Sequence, residues 1–382
     1  MPRAAAAVIL AVLALTGGRA STAATAANPA PPLPPVRYVF VLMLENQTYR
    51  VTFGRDSPAP YLARSLPAQG ALLTQYYAIG HASLGNYIAL VSGQAPNAAT
   101  QLDCPTFAEF RASSATLDAH GQLPGEGCVY PPLVRTLPDQ LEAAGLSWRG
   151  YMQDMGRDPA RETATCGHVP LGSVETTELG TRSDQYAAKH DPFVYFHAII
   201  DDPARCAAHV VNLERLPSDL ARIATTPNYV FITPNLCNDG HDQRCADGRR
   251  GGLVAIDAFL KEWVPRITGS PAFRAAGLLV VTFDESDGAG REGSEACCGE
   301  LPLPGAKYPP GLNGPGGGRV GAVLLSPFIR PGTVSDVPYN HYALLRTVAA
   351  IFSLPPLGYA AADGVHVLGV DVFTAPGATP AR

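Results

Sequence analysis

The sequence predicts an α/β fold with a mostly parallel central sheet, helices on both faces of that sheet, and a single domain with long loop insertions. The chain has 382 residues, of which 46% are hydrophobic and 16% charged, so it can bury a large core. Several apolar runs lack alternation, as expected for strands that are buried on both faces. Amphipathic helix patterns separate these runs, which is the order of a parallel sheet with crossover helices.

Four apolar runs predict the strands. Each is rich in valine, leucine, isoleucine or phenylalanine and ends at polar or turn residues. They are RYVFVLMLEN (37–46), NYVFITPN (228–235), GLLVVTFDES (277–286) and VGAVLLSPFI (320–329).

Three segments outside the strands predict helices. In TLPDQLEAAG, Thr136 is a capping residue, Pro138 lies just inside the start, and Gly145 is a stop signal. The segments GGLVAIDAFLKEWVPRI and NHYALLRTVAAIF are amphipathic. The stretches 96–132, 155–190 and 286–318 are rich in glycine, proline and polar residues and predict long loops, which in a compact chain are usually either functional or mobile.

The N-terminal residues have the form of a secretory signal peptide. Arg3 precedes an apolar run that is too short to span a membrane, and small residues follow it. We therefore expect a signal peptide at 1–27, a proline-rich linker at 28–36, a catalytic domain at 37–373 and a flexible tail at 374–382. The expected location is extracellular, and we expect a monomer with no stable membrane span.

The eight cysteines fit an oxidising compartment. Cys237 and Cys245 flank a short loop and Cys104 and Cys128 a longer one, so both are plausible disulfides. Cys297 and Cys298 are adjacent, with a Cα separation below the usual disulfide range, and we expect each to pair with a distant cysteine. The net charge of −5, without a basic cluster, argues against nucleic acid as a partner.

Polar side chains follow three of the predicted strands at the end where open parallel sheets bind their ligands. These candidate residues are Glu45 and Asn46, then Asp239, His241 and Asp242, and then Asp284 and Glu285. Carboxylates brought together need a cation, and the chain contains only three lysines. The oxygen ligands favour Mg²⁺, Ca²⁺ or Mn²⁺, while the nearby histidines also admit Zn²⁺ or iron.

The stretch GHASLGNYIALVSG (80–93) predicts a nucleophile at a helix start. Ser83 precedes an apolar helix pattern, so backbone N–H groups and the helix dipole would favour an anion beside it. Asn86 lies on the same face one turn later and can donate to that anion. A metal ion held by Glu45 and Asp284 would lower the pKa of the serine. The competing interpretation is that Ser83 is only an N-cap.

At these residues the chain resembles the phosphoesterase family that contains bacterial secreted acid phosphatases and non-haemolytic phospholipases C, within the alkaline-phosphatase-like superfamily. The matching segments occur in the family's order and extend over most of the chain from Arg37 to Gly358. They are VFVLMLENQTYRVTFG, HASLGNYIALVSGQ, PNLCNDGHD, TFDESDG with the later ACCGE, and NHYALLRTVAAIFSLPPLG.

This resemblance implies a metal-dependent phosphoesterase with a serine nucleophile and a phosphoserine intermediate, acting on a small phosphate ester or a phospholipid head group. The implied metal ligands are Glu45, Asn46, Ser83, Asp242, Asp284 and Glu285. The implied catalytic residues are Ser83, Asn86, His81, His241 and His341, of which His241 or His341 would protonate the leaving group. For the other six histidines, at positions 120, 168, 190, 197, 209 and 366, we expect structural roles.

Two other functional classes remain open at this level. A serine esterase would need no metal, but His81 stands where the G-x-S-x-G motif requires its first glycine. A non-catalytic binding module could keep the same scaffold, because a fold alone does not prove activity. A sulfatase is disfavoured, since SLGNY lacks the C/S-x-P-x-R pattern of those enzymes.

Overall fold

The computed structural model describes Met1 and residues 33–288, 291–304 and 316–373. In chain order its strands are β1 (Tyr38–Leu44), β2 (Ala71–Leu73), β3 (Tyr76–Tyr77), β4 (Arg111–Ala112), β5 (Gly125–Glu126), β6 (Trp148–Met152), β7 (Val210–Asn212), β8 (Tyr229–Thr233), β9 (Gly277–Phe283), β10 (Ala322–Leu325), β11 (Thr333–Ser335) and β12 (Tyr339–Asn340). Its α-helices are α1 (Tyr49–Phe53), α2 (Leu66–Gln69), α3 (Ser83–Ser92), α4 (Leu137–Ala143), α5 (His197–Ile200), α6 (Pro203–His209), α7 (Leu216–Leu220), α8 (Gly252–Thr268), α9 (Pro271–Ala276) and α10 (His341–Ile351).

Eight strands form one sheet in the order β11-β2-β10-β9-β1-β8-β6-β7. The neighbours from β9 to β7 are all parallel, and β10 runs antiparallel between β9 and β2. Every residue of β1, β8 and β9 is buried, so both faces of the sheet centre are covered. The predicted α/β class with a mostly parallel sheet is therefore confirmed.

The four predicted strands all occur, and each is shorter than its apolar run. The residues at the ends of the runs, such as Glu45 and Asp284, have left the hydrogen-bonded ladder and enter loops. Further strands of two to five residues, including β2, β6 and β7, are not predicted by the sequence. Such short segments form strands because longer neighbours supply hydrogen-bond partners, a signal that lies outside the segment itself.

The three predicted helices are confirmed as α4, α8 and α10. Helix α4 begins as its sequence predicts: the Thr136 hydroxyl accepts from the Asp139 N–H, and the Asp139 carboxylate accepts from the Thr136 N–H at 2.8 Å. This reciprocal capping box satisfies two backbone donors that the helix cannot.

Replacing Thr136 with alanine is expected to lower the free energy of unfolding by about 1–2 kcal/mol, because it leaves a buried helix N-terminus without its cap. Thr136→Ser keeps the hydroxyl and is expected to lose less than half as much. Urea denaturation followed by circular dichroism measures both. Equal losses in the two variants would mean that packing of the methyl group, rather than the cap, stabilises this end.

Disulfides anchor the long loops. Cys104–Cys128 and Cys237–Cys245 are confirmed, and Cys166–Cys206 ties the loop after β6 to α6. The expectation for the remaining two cysteines was wrong: Cys297 bonds to Cys298, with their Cα atoms 3.8 Å apart. With the other six cysteines paired among themselves, no distant partner is left for either one.

The expected signal peptide and most of the proline-rich linker lie outside the described residues, as does the expected tail at 374–382. Among the helices that the structure describes, none combines the length and hydropathy needed to cross a bilayer.

Candidate functional site

Three buried carboxylates meet at the carboxyl ends of neighbouring strands. Glu45 follows β1, Asp284 follows β9, and Asp239 lies in the loop after β8; all three are fully buried. Strand β1 pairs with both β8 and β9, so this edge of the sheet brings the three side chains together. We call Glu45, Asp239 and Asp284 the carboxylate cluster.

Ser83 contacts this cluster directly. It is the first residue of α3, and its Oγ donates to Glu45 Oε2 at 2.9 Å. One turn later on the same helix, the Tyr87 hydroxyl donates to the other oxygen of Glu45. The residue before the helix is Ala82, which is held at φ 73° and supplies no side-chain cap. Ser83 is therefore a polar group aimed at a carboxylate rather than a helix cap.

The loop before α3 is fastened by Glu285 and His81. Glu285 accepts from the Ala82 N–H at 3.1 Å and from the His81 ring, whose other nitrogen lies 2.5 Å from the Gly293 carbonyl. Burial raises the pKa of Glu285 to about 8, opposed by the hydrogen bond from His81. Although Glu285 is adjacent to Asp284, its carboxylate accepts hydrogen bonds from the loop before α3, and metal ligation by Glu285 stays a prediction.

Asn86 holds the same loop from within the helix. Its Oδ1 accepts from the Ile79 and Gly80 N–H groups at 2.9 and 3.1 Å, and its Nδ2 donates to the Gly80 and Ala82 carbonyls. These bonds use the full capacity of the side chain. Asn86 thus shapes the loop that presents Ser83, while the predicted contact between Asn86 and phosphate stays a prediction.

His190 joins the cluster, although the sequence predicts a structural role for it. It ends a 3₁₀ turn at Ala188–His190, with Nδ1 3.1 Å from Asp239 Oδ2 and Nε2 3.4 Å from Glu45 Oε2. Burial lowers its pKa well below the usual value, assisted by the charges of Lys189 and His241. The turn belongs to one of the long loops, where no periodic pattern marks a ligand.

His241 and Asp242 lie at the solvent side of the cluster. Their side chains are 27% and 26% exposed, and His241 Nδ1 is 3.0 Å from Asp242 Oδ1. The His241 ring centre is 5.6 Å from that of His190. Asp242 therefore orients His241. Asp239, rather than Asp242, lies in the carboxylate cluster, and metal ligation by Asp242 stays a prediction.

His341 and Asn46 support Asp284 from the protein side. The fully buried His341 ring lies between the Asp284 carbonyl, 2.6 Å from Nε2, and the Tyr76 hydroxyl, 3.1 Å from Nδ1. Burial lowers its pKa to about 4, so it is neutral at physiological pH. Asn46 is held at φ 54°, and its N–H donates to Asp284 Oδ1 at 3.2 Å.

The electrostatics of the cluster fit a bound cation. Burial and the charges of Asp284 and Asp239 raise the pKa of Glu45 well above its usual value. Ligand atoms of Glu45, His190 and Asp239 lie within 4.8 Å of one another. Asp284 Oδ2 and His190 Nε2 are buried without hydrogen-bond partners among the described residues. Buried carboxylates and unsatisfied ligand atoms are costly unless a positive charge offsets them, so this donor set suits a divalent cation.

Comparisons with known proteins identify related chains. A model of the Phosphoesterase family matches residues 55–355. The acid phosphatase of Aspergillus fumigatus is 25% identical over 325 residues, which are 84% of this chain and 55% of that protein. The phosphatidylinositol-3-phosphatase of Mycobacterium tuberculosis is 26% identical over 326 residues, 85% of this chain and 79% of that protein.

The chain spans 54–59% of the length of three fungal acid phosphatases that it matches. Among solved structures, one of a protein in the alkaline phosphatase superfamily from Vibrio parahaemolyticus aligns with a TM-score of 0.44 at 15% identity. That alignment covers 86% of this chain and 69% of the other.

Proposed function

Because this chain belongs to the Phosphoesterase family, we propose that it hydrolyses phosphate esters with Ser83 as the nucleophile. The observation that carries the proposal is the bond from Ser83 Oγ to Glu45 at the N-terminus of α3. The positive end of the helix dipole lies beside Oγ and favours the negative charge of a phosphate. The relatives named as an acid phosphatase and a phosphatidylinositol-3-phosphatase support this reaction class.

The residues that would hold a divalent cation are Glu45, Asp239 and His190, whose ligand atoms lie within 4.8 Å of one another, and Asp284, whose Oδ2 is buried without a hydrogen-bond partner among the described residues. Ser83 Oγ lies at the edge of this set. This proposal keeps Glu45, Ser83 and Asp284 from the expected ligands, adds Asp239 and His190, and leaves out Asn46, Asp242 and Glu285. When bound, such an ion would lower the pKa of the serine hydroxyl and offset the charge of the carboxylates. The oxygen-rich set with one imidazole suits Mg²⁺, Ca²⁺, Mn²⁺ or Zn²⁺.

The proposed reaction has two steps, and each transfers protons between named groups. In the first, Ser83 Oγ bonds to phosphorus while its proton leaves along the hydrogen bond to Glu45, and the bond from phosphorus to the alcohol oxygen breaks. His241 gives that oxygen its proton, because it is partly exposed and oriented by Asp242. In the second, water attacks phosphorus and gives a proton to His241, the bond from phosphorus to Ser83 Oγ breaks, and Oγ takes its proton back from Glu45.

The other expected catalytic residues act by positioning. His341 is enclosed by Asp284 and Tyr76 and stays neutral, so we propose that it fixes Asp284 instead of protonating the leaving group. His81 and Asn86 hold the loop before Ser83.

A serine esterase remains the alternative reaction class. That mechanism needs a histidine to accept the serine proton, whereas Ser83 donates to the carboxylate of Glu45.

We also propose that the chain works outside the reducing cytoplasm, as expected from its sequence. Its four disulfides favour such a location.

Removal of the cation tests the proposal. We expect treatment with EDTA to lower kcat/KM for p-nitrophenyl phosphate by on the order of 10³-fold or more, because an unneutralised cluster repels the substrate anion. Adding back one divalent metal at a time should restore activity and identify the ion. Parallel assays use bis(p-nitrophenyl) phosphate and p-nitrophenyl acetate.

The control is the acetate ester, which carries no phosphate. A protein that cleaves the acetate ester at an EDTA-insensitive rate and leaves both phosphates intact would be a serine esterase, and the proposed function would be wrong. A protein that cleaves none of the three esters with any added metal would be a binding module.

A further inference from the structure

Lys189 places a buried cation beside His241 and Asp103. Its residue is only 7% exposed, and Nζ lies 3.0 Å from Asp103 Oδ2 and 3.4 Å from His241 Nε2. The next residue in the chain is His190 of the candidate metal set. Lysines are seldom buried unless their charge is used or paired. The side chain of Lys261, by comparison, is 56% exposed.

Asp103 ties this ammonium group to the helix of the nucleophile. Its Oδ2 contacts Lys189, and its Oδ1 accepts from the Leu84 N–H at 2.9 Å, one residue after Ser83. Asp103 itself is held at φ 54° after the 3₁₀ turn Thr100–Leu102. Through Asp103, Lys189 is fixed at the same end of α3 as the serine hydroxyl.

The ammonium group of Lys189 is paired and still has capacity to bind. Asp103 Oδ2 lies 3.0 Å from Nζ and offsets its charge. An ammonium group has three N–H donors. In the part of the chain that the structure describes, Nζ donates to Asp103 and contacts His241, so at least one of its three donors remains.

We propose that Lys189 binds a non-bridging oxygen of the substrate phosphate, so that the site selects phosphate monoesters over diesters. The inference rests on the proposed function and adds a substrate class to it. A monoester carries two negative charges near neutral pH and leaves three oxygens free. A diester carries one charge, because one of those oxygens bears a second organic group. A lysine ammonium acts as a point charge, so it stabilises the dianion more.

The simpler reading is that Lys189 and Asp103 only join two loops. The two readings differ in what loss of the lysine changes. A structural ion pair affects stability and lowers activity toward every substrate alike, whereas a phosphate-binding lysine discriminates between substrates by charge.

The test compares Lys189→Gln with the wild type. One measurement is calorimetric binding of inorganic phosphate, and the other is kcat/KM for p-nitrophenyl phosphate and bis(p-nitrophenyl) phosphate. We expect phosphate affinity and monoester kcat/KM to fall about 10- to 100-fold, the range for loss of a charge-assisted hydrogen bond. Diester kcat/KM should change less than about threefold, since the lost charge contributes little to a monoanion.

The matched control is Lys261→Gln. Lys261 also pairs with a buried carboxylate, because its Nζ lies 2.8 Å from Asp257 Oδ2 on the same helix, α8. It should leave phosphate binding and both rates unchanged. Lys189→Arg retains the charge and should keep most of the monoester preference even where Lys189→Gln folds poorly. The inference is overturned if the Lys189→Gln protein binds phosphate like the wild type. It is also overturned if Lys189→Gln and Lys189→Arg each lower kcat/KM for the monoester and for the diester by the same factor.

Failure of the proposed function would look different. The wild type itself would then hydrolyse neither phosphate ester, and the calorimetric measurement alone would decide whether Lys189 binds phosphate.

Discussion

Replacing Ser83 with alanine is expected to lower kcat for p-nitrophenyl phosphate by on the order of 10⁴-fold or more, the range for loss of a covalent nucleophile. The cause is direct: Oγ is the atom that bonds to phosphorus, and the hydrogen bond to Glu45 orients it. Alanine is small enough to fit the buried helix start, so the fold should remain. Steady-state kinetics and a thermal unfolding curve separate the two effects.

Ser92→Ala is the matched control because it removes a hydroxyl from the other end of the same helix. Ser92 Oγ donates to the Ile88 carbonyl at 2.7 Å and faces no part of the cluster. Its loss should leave kcat within about twofold, as for a change that touches no reacting group. Rapid acid quench of the wild type should also trap a phosphoryl group on the peptide that contains Ser83. A Ser83→Ala protein with wild-type turnover would refute the mechanism.

Replacing Glu45 with glutamine is expected to abolish cation binding and to lower kcat by on the order of 10³-fold. Glu45 accepts hydrogen bonds from Ser83 and Tyr87. One of its carboxylate oxygens also lies within 4.8 Å of ligand atoms of His190 and Asp239. The amide keeps the shape of the side chain but has one acceptor oxygen and no charge. Metal content after dialysis, measured by mass spectrometry, reports the loss directly.

The same variant should be more stable than the wild type when no metal is bound, although it loses activity. Burial and two neighbouring carboxylates disfavour the ionised form of Glu45, so removing its charge should raise the free energy of unfolding of the EDTA-treated protein by about 1–3 kcal/mol. Added metal should raise the unfolding midpoint of the wild type by mass action and leave that of Glu45→Gln unchanged.

Asp257→Asn provides the control for a buried carboxylate outside the cluster. Asp257 Oδ1 accepts from the Tyr61 and Leu62 N–H groups at 2.8 and 3.0 Å, and an amide oxygen can keep these bonds. This variant should respond to metal as the wild type does. If Glu45→Gln retains its metal and the metal-dependent shift of its midpoint, Glu45 is not a ligand.

The central sheet and the edge that carries the candidate site could be predicted from sequence, because both depend on local patterns. Continuous apolar runs specify strands buried on both faces, and parallel strands end at one edge. Glu45, Asp239 and Asp284 could therefore be expected near each other, and Ser83 beside them at a helix start. Each of these inferences needs only a short segment and a rule of sheet geometry.

The detailed membership of the site depended on the tertiary structure. His190 enters from a loop whose path is fixed by a disulfide and by contacts distant in sequence, so its own neighbours do not mark it as a ligand. Glu285 and Asp284 are adjacent in sequence but diverge, because Glu285 pairs with His81 and the Ala82 N–H. Likewise, Cys297 and Cys298 bond to each other, because the other six cysteines are paired among themselves.

The sequence by itself determined which strands are buried, where they end and which polar residues follow them, since periodicity and composition act within a few residues. Only the tertiary structure decided which carboxylates lie close enough to interact and that Lys189 lies near them. It also decided that His341 is buried and that His241 is partly exposed. Electrostatic coupling depends on distances of a few ångströms between side chains that are far apart along the chain, and those distances are set when the loops pack.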